Sequence, residues 1–134
     1  MRTADEFNAI GVGHLPGHLG IVITAVEGCE IRAELPVVPM LMAPNGFLHA
    51  GSVLSLADTA AGYGCVAHLP EGAKGFTTLE TKSNHLGTAR EGTIACVARA
   101  THLGKSTQVW DVEVFDRAGG KIIALFRCTQ MILY

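Results

Sequence analysis

The chain has 134 residues, 49% of them hydrophobic, and 10 Lys and Arg against 12 Asp and Glu give a formal net charge of -2. That length suits one domain with a real core and is too short for two. The scattered, balanced charges argue against general nucleic-acid binding, and Pro36, Pro39, Pro44 and Gly46 break the longest charge-free run before it reaches the ~20 residues a membrane helix needs.

Met1 to Asn8 carries Asp5 and Glu6 and lacks the charged-then-apolar layout of a signal peptide, so a cytoplasmic protein with no membrane association is expected. Residues 3 to 9 predict a short amphipathic helix, and the run of Gly11, Gly13, Pro16, Gly17 and Gly20 predicts a loop after it. Ile21, Val22, Ile23 and Val26 then predict a strand over Leu19 to Glu27, turning at Gly28. From Cys29 to Val37, Ile31, Ala33, Leu35 and Val37 alternate with Glu30, Arg32 and Glu34, which predicts a second strand with one wet face, paired to the first as a hairpin.

The stretch from Pro44 to Leu69 predicts one long apolar helix, entered near His49, running to about Leu69 and stopped by Pro70 and Gly72. Between Glu34 and Glu71 the only Asp, Glu, Lys or Arg is Asp58. A helix apolar on every side is a buried one, and an isolated carboxylate in it needs a structural partner, such as Arg90 or Lys82, or a chemical task. Four further strands follow, at Phe76 to Leu86, Thr93 to His102, Ser106 to Asp116 and Lys121 to Tyr134, with short connections that predict an antiparallel meander. Strand, strand, long helix and four strands make an α+β protein, a curved antiparallel sheet wrapped around one long central helix. Such apolar excess in a small domain points to a subunit interface, so an oligomer is expected. Cys29, Cys65, Cys96 and Cys128, without a C-x-x-C pair, are expected to be buried free thiols.

Gly46-Phe47-Leu48-His49-Ala50-Gly51, followed by Leu56-Ala57-Asp58-Thr59-Ala60-Ala61-Gly62, resembles the signature of the hotdog-fold thioesterases of the phenylacetic acid degradation (PaaI-like) type. The resemblance continues through Asn84-His85-Leu86 and Arg90-Glu91-Gly92, covering roughly residues 18 to 133. It divides the chain into an N-terminal helix and loop, 1–17, and a hotdog thioesterase domain, 18–134. It implies a homodimer, often a dimer of dimers, hydrolysing acyl-coenzyme A thioesters without a cofactor, coenzyme A being part of the substrate. Two departures stand out. His49-Ala50-Gly51 replaces a common His-Gly-Gly, and Ala43 stands where the family commonly has Asn or Gln, with Asn45 nearby.

Thioester hydrolysis needs a donor that polarises the carbonyl and a carboxylate that attacks it or activates water. The N–H of Ala50 or Gly51 at the helix start is the candidate donor, since helix N-termini offer free N–H groups and positive potential. Asp58 is the candidate base or nucleophile, and the residues leave both roles open. The two lie eight residues apart, about 12 Å along a helix, too far to meet on one carbonyl within one chain. Two copies with antiparallel helices would bring Asp58 of one to the helix start of the other. His49 is a candidate to orient Asn45, contact the carbonyl or assist the leaving thiolate, against a plain role bonded to backbone at the helix start. Asn45 also suits an ordinary Asn-Gly turn. Thr59 and Ser55 are candidates to hold water, Phe47 and Phe76 to line an acyl pocket, and Asn84, Arg90 and Lys105 to bind substrate, the cations through the phosphates.

Other motifs fail their context. Gly104-Lys105-Ser106 joins two strands and lacks the first glycine of a phosphate loop, and Gly62 to Ala67 matches a dinucleotide fingerprint but ends a helix. No elbow surrounds Ser52 or Ser55, and six histidines without paired spacing argue against a metal site. A hydratase or dehydratase on acyl thioesters and a noncatalytic acyl-coenzyme A binding subunit are the competing readings.

Overall fold

The computed structural model describes residues 1–134. Helix α1, Ala4–Gly11, opens with a capping box in which the Glu6 N–H donates to Thr3 Oγ1 and the Thr3 N–H to Glu6 Oε2. Its Phe7 is fully buried, and Asn8 pins it to the sheet by exchanging hydrogen bonds of 2.9 and 2.7 Å with the Ile23 backbone. The next stretch corrects the expected loop. Leu15–Leu19 forms a short helix, α2, with Pro16 in its first turn and a left-handed Gly20 (φ 89°) ending it.

Strands β1 (Val22–Glu27) and β2 (Glu30–Pro36) pair as the predicted hairpin. Helix α3 spans Ala50–Ala67, with His49 and His68 as its caps, so it starts and stops slightly inside the expected limits. Strands β3 (Gly75–His85), β4 (Thr93–Leu103), β5 (Thr107–Asp116) and β6 (Ile122–Leu133) complete one antiparallel sheet in the order β1-β2-β4-β5-β6-β3. The order corrects the four-strand meander. Only β4, β5 and β6 are sequential neighbours, while β3 pairs with β6 at the far edge. Its crossing connection passes the end of β6, where the Leu86 and Gly87 N–H groups donate to Ile123 O.

The sheet lies around α3 as the hotdog architecture requires, and the helix packs on every strand but β1. Alternation decides the faces: Trp110, Val112 and Val114 on β5, and Phe126 and Cys128 on β6, are buried in the core with Leu56, Ala57, Ala60 and Ala61 of α3. The small residues let the helix lie close to the sheet. A Cβ on Gly64 would sit 2.6 Å from the Trp110 ring, so this glycine is required by contact although glycine costs a helix interior ~1 kcal/mol. Trp110 Nε1–H donates to Gln108 Oε1, and Gln108 Nε2–H donates to the carbonyl of His68, tying the C-terminus of α3 to the sheet.

The opposite face of the sheet is solvated and carries Arg99–Glu30, Arg117–Glu34 and Arg127–Asp111 ion pairs at 2.8, 2.9 and 2.7 Å. Solvent screens pairs this exposed, so they add little to stability. Cys65, Cys96 and Cys128 are buried as expected, but Cys29, in the tight β1–β2 turn, is exposed. No helix is long and apolar enough to cross a membrane.

Candidate active site

Asp58 lies on the third turn of α3, half-buried, beside a cavity of about 210 Å³. The cavity is bounded by Asp58, Thr59, Gly62, Tyr63 and Val66 of α3, by Phe76 and Thr78 of β3, by Gln130 of β6 and by Pro16 of α2. Helical spacing explains the first group, since Asp58, Gly62 and Val66 stand four apart in one row along α3 and Thr59 and Tyr63 four apart in the next. The inward alternation of β3 and β6 supplies the opposite wall.

The carboxylate has no partner within the chain: its Oδ1 is buried without a hydrogen bond, and neither Arg90 nor Lys82 pairs with it. The structural alternative of a buried, salt-bridged acid is therefore absent. Burial pushes the Asp58 carboxyl above the usual carboxylate range, making it a stronger base when ionised. The same charge contributes to holding the buried Cys128 thiol high, after burial itself.

At the other end of the candidate pair, His49 caps α3. Its Nδ1 accepts the Gly51 N–H at 2.8 Å, which places the proton of a neutral ring on the exposed Nε2. The Ser52 and Val53 N–H groups both donate to His49 O. Of the N–H groups opening the helix, that of Ala50 alone has no acceptor in the chain, and Ala50 is exposed. Of the two candidate donors, Gly51 is thus engaged and Ala50 is free. The backbone-bonded role for His49 is present, with Nε2 left over for chemistry.

The remaining candidates divide. Thr59 and Phe76 line the Asp58 cavity. Ser55 instead donates to Gly51 O, the usual habit of a helical serine. Asn45 Oδ1 accepts the Phe47 N–H, the turn role. Arg90 lies 4.6 Å over the Phe47 ring at the helix start, carried there by the crossing loop, whose Thr88 hydroxyl accepts the Leu48 N–H. Lys105 is grouped with Pro70, Glu71 and Tyr134 beyond the other end of α3. That helix has 18 residues, about 27 Å, so Arg90 and Lys105 do not converge within one chain. Asn84, registered opposite the outward Leu125, borders a hollow on the outer face of the sheet.

Sequence reasoning left out Pro16, Gly62, Tyr63, Val66, Thr78 and Gln130 as cavity residues. The helical period from Asp58 points to Gly62 and Val66 and that from Thr59 to Tyr63, and Gln130 is a polar residue on the inward side of β6, between buried Cys128 and Ile132. No such signal marks Pro16, which depends on how α2 folds back.

Comparison with known proteins supplies the context. The family model described as Thioesterase superfamily matches residues 45–123. A 1,4-dihydroxy-2-naphthoyl-CoA hydrolase from Escherichia coli is 35% identical over 134 residues, covering 98% of this chain and 95% of that protein. A thioesterase from Haemophilus influenzae superposes with a TM-score of 0.93 at 29% identity, covering 99% of this chain and 92% of that one. The PaaI protein of the E. coli phenylacetic acid degradation operon superposes with a TM-score of 0.80 at 26% identity, covering 89% of this chain and 83% of that one.

Proposed function

Because the chain belongs to the thioesterase superfamily and is a hotdog-fold thioester hydrolase acting on acyl-coenzyme A, we propose that it cleaves aryl or short- to medium-chain acyl-coenzyme A at sites shared between two copies. The carrying observation is an unpaired carboxylate, Asp58, beside a cavity of about 210 Å³. That volume lies under the ~300 Å³ at which pockets begin to take drug-sized ligands. It suits an acyl group with coenzyme A outside. The relative that acts on a naphthoyl thioester favours an aromatic acyl group.

The carbonyl oxygen of the substrate accepts the Ala50 N–H of the second copy, whose helix N-terminus stabilises the developing oxyanion. Asp58 then takes a proton from water as the water oxygen attacks the carbonyl carbon. The C–S bond breaks, Asp58 returns its proton to the thiolate, which His49 Nε2–H is placed to hydrogen-bond, and free acid and coenzyme A depart. In the alternative route the carboxylate attacks directly, and water hydrolyses the resulting anhydride. Arg90, beside the helix start that carries Ala50, is the cation for the coenzyme A phosphates.

Separation supports the shared site, since Ala50 and Asp58 lie about 12 Å apart along one helix. The edge strand β3 supports pairing as well. It has 11 residues, most of them exposed, and Leu79, excluded from the β6 register by a bulge, is 56% exposed. A long open edge of this kind is normally covered. Mixing inactive chains tests the arrangement. After co-refolding equal amounts of Asp58→Asn and Ala50→Pro chains, shared sites restore about a quarter of wild-type activity, because half the dimers are mixed and each carries one intact site. No recovery, with mixed dimers demonstrated, sinks the shared site. Failure of wild type to release thiol from any acyl-coenzyme A ester sinks the substrate reading.

A further inference from the structure

We propose that Gln130 is a specificity-determining residue of the acyl cavity, its amide oxygen taking a hydrogen bond from a hydroxyl on the acyl group. The inference rests on the thioesterase reading above and assigns this chain's own residue within it. Gln130 is 0% exposed, yet its Oε1 has no hydrogen-bond partner, and its Nε2 reaches only the weak acceptor Cys128 Sγ at 3.5 Å. Its cross-strand neighbour Gln108, also 0% exposed, sets the contrast. There Nε2–H donates to His68 O at 2.8 Å and Oε1 accepts Trp110 Nε1–H at 2.9 Å. Two buried glutamines sit side by side in one sheet, one satisfied by the fold and the other not.

Buried amides are rarely left so. What distinguishes Gln130 is that it borders the Asp58 cavity, so the missing donor belongs to the occupant. Asp58 in the ionised form that acts on substrate cannot supply it, because a carboxylate only accepts. The lining points the same way: Thr59, Tyr63 and Thr78 join Asp58 and Gln130 as polar side chains around it. A plain hydrocarbon acyl group filling this space would leave Oε1 buried against carbon, whereas a hydroxylated one would pair it. A site built to bond a substrate hydroxyl rejects the analogue that lacks it far more strongly than an apolar pocket rejects a methylene.

The test compares kcat/KM for matched coenzyme A esters, benzoyl against its three ring-hydroxylated isomers and 2-naphthoyl against 1-hydroxy-2-naphthoyl, in wild type and in Gln130→Met. Wild type should favour at least one hydroxylated ester by about tenfold or more. Gln130→Met should bring that ratio toward one, through a loss on the hydroxylated ester at least about tenfold larger than any change on the plain ester. A parallel fall on both esters overturns the proposal and marks Gln130 as structural or as holding a water. Wild-type ratios of one throughout overturn it whether or not the variant folds. Absence of hydrolysis of every ester instead removes the thioesterase reading, and the proposal with it.

Discussion

Replacing Ala50 by proline removes one atom group from the candidate site and little else. Ala50 is the first residue of α3, its N–H has no acceptor in the chain, and His49 before it has φ -63° and ψ 134°. Those angles are the extended ones that a residue preceding proline prefers, and the first helical position is where proline is best tolerated. The fold should therefore keep its stability or gain up to ~1 kcal/mol from a stiffer unfolded chain. If the Ala50 N–H holds the oxyanion, kcat falls by about 10²–10³, the cost of removing one such donor. The assay is thiol release from an acyl-coenzyme A ester, with circular dichroism and sizing to establish that the variant matches wild type. Ala50→Gly, which keeps the N–H, should stay within a few-fold. A folded Ala50→Pro protein with kcat within about threefold of wild type would refute the donor assignment, and one that fails to fold would refute the argument from helix position.

Asp58→Asn should lower kcat by about 10²–10⁴ while raising the melting temperature by a few degrees, since an unpaired carboxylate is replaced by a neutral amide. The sign follows from the raised folded-state pKa: the stability Asp58 contributes is full below its unfolded value and is lost as pH rises through the folded one. The gap in melting temperature should thus open at neutral pH and close in acid, and a less stable Asp58→Asn protein would count against the reading. Activity that depends on the ionised carboxylate should fall on the acid side with an apparent pKa above the ordinary aspartate range, as a pH–kcat/KM profile would register. Gly64→Ala should destabilise by about 1–3 kcal/mol in a denaturant melt because of the Trp110 ring, against the usual gain of alanine over glycine in a helix. Titration with a thiol reagent should find one fast group per native chain, Cys29, and three only after unfolding. Burial pushes Cys65 up to about 11 and Cys96 and Cys128 up to about 12.

Much of the molecule is local in origin and could be read without coordinates. The alternation of Ile31, Ala33 and Leu35 and of Trp110, Val112 and Val114 fixes which faces are buried, because side-chain direction has a period of two whatever the strand order. The isolation of Asp58 in an apolar helix is equally plain in the sequence, since no other formal charge lies within 20 positions before it or 12 after.

Strand order is different. Whether β3 pairs with β4 or β6 depends on how a sheet closes around a helix, and the residues of β3 carry no label for either neighbour. The crossing that results is what brings Thr88 to Leu48 and Arg90 to Phe47, and no local pattern anticipates it. The fold-back of α2 onto the cavity, the engagement of the Gly51 N–H by His49 and the unsatisfied amide of Gln130 are of the same kind. Sequence periodicity determined the strands, α1 and α3, and composition singled out the acid; tertiary packing alone decided what surrounds that acid, because hydrogen bonds and cavity walls form between residues whose separation along the chain carries no periodic signal.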